Sequence, residues 1–307
     1  MKDQREYERR KRLVRQIELI PNATKTNLLL SCAAAACRLG LLFALVWFAV
    51  AARSVVLFAP LLMFIAVPML RALENLGGHE GGHGNWLRRR PRVNDWFANT
   101  LAAWWVVTSA QSFRKKHNDH HHHFAEATDP CFTRFSMFHF AQMKSWTKFL
   151  AALRREYLPY LREYWQIYSP IKVSQILRSM LLHGAVMLFG NWLCPGFWRG
   201  WLLLVIVPFL LILPVFRMLA ESEEHDYDGS DELTDSHNNL GWFSRLYLHP
   251  VGDAYHKLHH VQPTIPHHRM RSVHVKLMEM VPEYRDSHKK RSTKELKSEP
   301  ELSRGMS

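Results

Sequence analysis

The chain has 307 residues, a formal net charge of +13, 48% hydrophobic residues and nineteen histidines. Its four scattered cysteines, Cys32, Cys37, Cys131 and Cys194, exclude a disulfide framework or a cysteine zinc ribbon. A basic balance suits nucleic acid, anionic lipid or an acidic partner. No nucleic-acid-binding signature occurs, and long apolar blocks favour juxtamembrane charge facing anionic headgroups.

Residues 1–25 are polar and basic, with Arg9, Arg10, Lys11 and Arg12 in a row. Their mixed charge and the lack of a small-residue cleavage site argue against a signal peptide. They are expected to form a solvated helix at a membrane surface. Apolar blocks follow at 28–52 and 54–70, each close to the roughly 20 residues that a span requires. Ala52, Arg53 and Ser54 leave room only for a tight turn, so these blocks are read as a hairpin. Residues 96–113 are apolar but carry Asn99, Thr108 and Gln111, and are expected to form one half-buried or interfacial helix. Residues 132–168 mix aromatics with Lys and Arg as interfacial segments do. A second hairpin is expected from blocks at 176–193 and 201–216, joined by a turn at Cys194, Pro195 and Gly196. His183 lies inside the third block, where it could bond a backbone carbonyl.

Two hairpins put every long polar segment on one side, together with most of the Lys and Arg. The positive-inside rule then predicts an integral, multi-pass protein with both termini cytoplasmic, at the inner membrane if bacterial. The expected fold class is all-α integral membrane, two transmembrane hairpins with a cytoplasmic helical cap. Residues 1–27 are read as a basic cytoplasmic segment, 28–288 as the membrane domain and 289–307 as a disordered charged tail.

The histidines cluster at the inner ends of the apolar blocks. His79 and His83 are four apart, which on a helix puts both rings on one face. With Glu80 they also spell a zinc-protease motif, a reading that leaves the later clusters unexplained. Gly81 and Gly82 weaken that helix but permit close packing. His117, His120 and His121 form H-x-x-H-H, followed by His122 and His123, whose roles stay open. His225 follows Glu221, Ser222, Glu223 and Glu224. His256, His259 and His260 form a second H-x-x-H-H. Imidazole without thiolate suits Fe, Zn, Cu or Ni. Ligating rings use their other nitrogen on a carboxylate or carbonyl, and Glu80, Asp119, Glu126, Glu224, Asp226 and Asp253 stand close in sequence. Glu126 is read as a solvated charge. Trp104, Trp105 and Phe113 suit packing or a membrane-interface belt, with lining of an acyl tunnel as the alternative.

These segments resemble the membrane-bound fatty acid desaturase superfamily over roughly residues 28–285. Gly78 to Gly84 resembles its first histidine box, and His117 to His121 with Asp129-Pro130 its second. Arg217 to His225 resembles its R…EH segment. Tyr255 to Met270, with Pro263 and Pro266 after the histidines, resembles its third box. The resemblance implies a di-metal site of two iron ions, with His79, His83, His117, His120, His121, His225, His256, His259 and His260 as ligands. It implies dioxygen as co-substrate and C–H activation on a fatty acid or acyl chain. Desaturation is the first expectation; hydroxylation and loss of the carboxylate to a terminal alkene are the alternatives within the superfamily. No H-P-G-G of a fused cytochrome b5 occurs, so a separate ferredoxin, rubredoxin or cytochrome b5 type of protein is expected to supply electrons. The chain departs from the family where Glu221 replaces a common Asn. A helix through this segment would put Glu221 and His225 on one face and Glu223 roughly 160° away. Glu221 is therefore expected to bind iron directly or through water and to act in catalysis. The alternative of another class is a His-rich metal transporter or sensor, but transporters hold ligands within spans.

Overall fold

The computed structural model describes residues 4–53, 55–143, 145–164, 172–227 and 232–287, and within them the chain is helical with no strand. The expected disordered tail at 289–307 lies outside these residues.

Among the described residues, four helices are long and apolar enough to cross a membrane: α2 (Leu28–Ala51), α3 (Ala59–Glu80), α8 (Val173–Leu193) and α9 (Phe197–Glu224). Helix α2 starts at Asn27, whose side chain accepts from the Leu30 N–H at 3.2 Å and so satisfies an otherwise orphan donor. Helices α2 and α8 leave most of their apolar surface outward, including Leu29, Phe48, Leu181, Leu188 and Trp192. At about 25 cal/mol per Å², such exposure is unfavourable in water and is relieved in lipid. Helices α3 and α9 are about half buried and pack on each other.

Two helices outrun their apolar blocks. Helix α3 begins at Ala59 rather than at 54 and continues through a π-helical turn, Asn75–Glu80. Helix α9 continues to Glu224 past π-helical turns at Leu202–Ile206 and Pro208–Ile212. Pro208 and Pro214 lack the N–H that an α-helix requires, and local π adjustment re-satisfies the freed carbonyls. These extensions carry polar side chains out of the apolar layer and into the histidine region. Arg71 is fully buried in α3, donating to Glu74 at 2.8 Å, to Asn75 at 2.6 Å and to the Leu248 carbonyl at 2.9 Å.

The single helix expected over 96–113 is instead three pieces: α4 (Pro91–Leu101), a 3-10 turn (Ala103–Val106) and α5 (Ala110–His122). Side chains that looked merely polar in sequence make the break. Ser109 accepts from the Ser112 N–H at 3.1 Å, Asn99 accepts from the Ala110 N–H at 2.8 Å, and Val107 adopts a left-handed φ of 53°. His183 donates through Nε2 to the Trp105 carbonyl at 3.0 Å and accepts from Trp201 Nε1 at 3.1 Å, so it pins α8 to α9 and to the 3-10 turn.

A second apolar cluster lies in the cap. Leu13 and Ile17 of α1 (Gln4–Glu18), with Ile20, pack against Leu258, Val261, Met270 and Leu277. Helices α6 (Pro130–Met137) and α7 (Trp146–Tyr164) occupy the region read as interfacial.

Candidate metal centre

Each histidine is delivered by a short, locally explained device. The π turn at the end of α3 carries His79, with His83 just after it, and close packing here depends on glycine. A Cβ at Gly77 would lie 2.2 Å from the Ala103 nitrogen, and one at Gly81 would lie 2.7 Å from Ala98 Cβ. Helix α5 presents His117, His120 and His121 inward, while His122 and His123 are exposed. Helix α9 stops at Glu224, and His225 is extended, paired in an isolated antiparallel bridge with Ser236. Helix α11 (His256–Val261), which follows the short α10 (Glu232–Asp235), carries His256, His259 and His260.

Nine rings converge through Nε2 into two groups. In the first, His259 Nε2 lies 3.1 Å from His79, 3.1 Å from His117 and 2.9 Å from His121. His83 joins this group, its Nε2 buried and without a hydrogen-bond partner. In the second, His225 Nε2 lies 3.2 Å from His120 and 2.9 Å from His256, and His260 lies 3.1 Å from His256. The groups are adjacent, with the His121 and His260 ring centroids 4.5 Å apart.

This geometry fits metal ions. One imidazole nitrogen holds at most one proton, so His259 Nε2 cannot bond all three close neighbours through hydrogen. A cation would satisfy the converging lone pairs. Nitrogens bound at right angles to an ion about 2.1 Å away would stand about 3.0 Å apart, close to the spacings found. The donors are all imidazole, which suits Fe, Zn, Cu or Ni.

Three of the outward ring nitrogens find oxygen. His120 Nδ1 pairs with Asp129 at 2.9 Å, His225 Nδ1 with Ser236 at 3.2 Å, and His260 Nδ1 with Glu232 at 2.8 Å. Asp129 stood out only as part of the second-box resemblance, and Ser236 and Glu232 did not stand out in the sequence. Of the carboxylates that did, Glu80 accepts from Asn85 and from the His267 N–H, and Asp226 pairs with His237. Asp119 and Glu126 are exposed, and the Glu126 carboxylate pairs with the exposed His123 at 3.0 Å.

Burial holds His83, His117, His121, His225, His256, His259 and His260 well below the usual imidazole range. They are therefore neutral near pH 7, the form that ligates. His120 departs from this. Burial lowers it too, but Cys131 and the Asp129 carboxylate outweigh that and push it up.

Between the groups lies a cavity of about 20 Å³, bounded by His79 and His117 of the first and His120 and His256 of the second. It has room for one water-sized molecule. Phe113 and Cys131 close part of the wall, and Asn75, Arg217, Glu224 and Asp253 supply polar groups. Asp253 is matched by Asn75 at 3.2 Å, His249 at 3.3 Å and Arg71 at 3.6 Å. Trp104 does not line this cavity, and Arg178 stacks over its ring 4.7 Å from the centroid.

Glu221 is not brought to the histidines. Its carboxylate accepts from Arg134 at 2.8 Å and Arg217 at 2.9 Å. The expected shared face with His225 required the helix to continue, and it ends one residue too early. Glu224, next to His225, reaches the cavity instead.

Residues 57–292, more than half of the chain, match the family described as fatty acid desaturase. No curated protein and no solved structure matches significantly.

Proposed function

This chain belongs to the fatty acid desaturase family, and we propose that it is a membrane di-iron oxygenase that activates a C–H bond of a fatty acid or acyl chain, with desaturation as the outcome. The observation that carries this reading is the convergence of His79, His83, His117, His121 and His259 in one group and His120, His225, His256 and His260 in the other. These nine residues are proposed to hold two iron ions.

When bound, the iron pair supplies reductive activation of dioxygen and an oxidant able to break an unactivated C–H bond. The chain's own residues do the rest. Asp129, Ser236 and Glu232 fix three imidazoles in the tautomer that leaves Nε2 free. Phe113 and the buried rings around it limit water beside the cavity. Glu224 and Asp253 disfavour a substrate carboxylate there, because the lining guanidinium of Arg217 is already engaged by Glu221. The acyl chain therefore presents methylenes to the centre with its carboxyl end distant. This favours desaturation, then hydroxylation, over loss of the carboxylate. Glu221 serves by holding Arg217.

The outward apolar faces of α2 and α8 support residence in a bilayer. The excess of Lys and Arg in the long polar segments supports cytoplasmic termini. Electrons come from a separate ferredoxin, rubredoxin or cytochrome b5 type of protein. Oxygen uptake by the iron-loaded protein and mass spectrometry of products from a panel of fatty acids and thioesters test the reading. Acyl-dependent oxygen uptake with an alkene product is expected; a zinc-loaded protein inert to every acyl substrate would contradict it.

A further inference from the structure

Glu232 is 3% exposed and stands between the two histidine groups. Its Oε1 accepts from His260 Nδ1 at 2.8 Å and lies 3.5 Å from His121 Nδ1. Its Oε2 accepts from Arg10 at 2.8 Å. One carboxylate thus meets a ring of each group through one oxygen and helix α1 through the other. Arg10, Leu13 and Ile17 recur at i, i+3 and i+7, one face of a helix. Leu13 and Ile17 are fully buried in the cap cluster, which fixes where the Arg10 side chain starts.

We propose that Arg10 and Glu232 are positioning residues of the metal centre, with α1 as the strut that aims Glu232 at both histidine groups. This rests on the reading of the histidines as metal ligands. An ion on Nε2 makes the Nδ1–H a stronger donor, so the bond to Glu232 tightens when the site is loaded. Glu232 then holds Arg10, and Arg10 holds α1. By linkage, docking of α1 must favour metal loading to the same degree that loading favours docking. Asp129 provides the internal contrast, since it pairs with His120 of the second group alone. The basic run Arg9, Arg10, Lys11 and Arg12 makes α1 a natural target for trypsin, so docking can be read directly.

The test uses the full chain in detergent, titrated with Fe(II), with metal content and trypsin cleavage at residues 9–12 as readouts. Wild-type protein is expected to bind iron and to be cleaved severalfold more slowly when loaded. Glu232→Gln and Arg10→Ala are expected to weaken iron binding about tenfold at both positions, the range for outer partners of metal ligands, and to lose the iron-dependent protection. Asp129→Asn is expected to weaken one position and keep the protection. Should Arg10→Ala aggregate, Arg10→Lys carries the test; it keeps the charge but not the planar fork, and severalfold weaker binding is expected. Wild-type iron affinity in Arg10→Lys and Glu232→Gln, or protection that does not depend on iron, would overturn the strut. A wild-type protein that binds no iron would instead overturn the metal reading on which it rests.

Discussion

His259 is the hub of the first histidine group, with three neighbouring ring nitrogens within 3.1 Å, and His120 is joined to both Asp129 and His225 in the second. His259→Ala and His120→Ala are each expected to lose iron and all oxygenase activity while the protein stays in the membrane, as metal analysis of membrane-extracted protein can check. Glu221 calls for a different outcome. Its two largely buried ion pairs make Glu221→Ala a stability mutation, costing about 2–3 kcal/mol, with iron content kept; a normal melting temperature with lost iron would contradict this. The lowered imidazoles set a pH dependence for the metal-free protein. Their folded affinity for protons is below that of the unfolded chain, which takes up protons near pH 6.5. Unfolding is therefore favoured as pH falls from about 6.5, and stability is retained above it. The raised His120 works in the opposite sense but is outnumbered. A melting temperature lower at pH 5.5 than at pH 8 is expected; an unchanged or higher one would count against neutral buried rings. Eight of the nine histidines were legible as spaced motifs, and His225 only through the resemblance of its segment. Two of their oxygen partners were not, because Ser236 and Glu232 stand apart in sequence from His225 and His260, the rings they meet.

At the scale of elements, hydropathy found the four long helices but not their true ends. Apolar content falls where α3 turns polar at Arg71, yet the helix persists because Arg71, Glu74 and Asn75 satisfy one another inside the fold. Such mutual satisfaction leaves no trace in a hydropathy average. The end of α9 at Glu224 was equally hidden, since it is set by the bridge between His225 and Ser236. The packing role expected of Gly81 does appear, with a Cβ there 2.7 Å from Ala98 Cβ, and Gly77, which nothing in the sequence singled out, packs tighter still. Gly77→Ala would drive a methyl into the backbone of Ala103. Overpacking of this kind costs about 1–3 kcal/mol, and backbone cannot rotate away as a side chain can. We expect Gly77→Ala to lower the melting temperature and the iron content together, whereas Gly40→Ala, with nothing within 4 Å, is expected to change neither. Equal behaviour of the two variants would refute the close-packing account.

For the whole molecule, the four long helices and the histidine centre are parts of one argument. The nine histidines come from α3, α5, α11 and the segments just after α3 and α9, so they converge only if those inner ends share a side. A reporter fused at either terminus is expected to read cytoplasmic; opposite signals from the two ends would break the two-hairpin topology. The most direct test of the central claim is metal quantification on protein purified from cells supplied with iron and zinc. The account predicts about two iron ions per chain, falling on substitution of His259 or His120. Stoichiometric zinc without iron, or no metal at all, would contradict it.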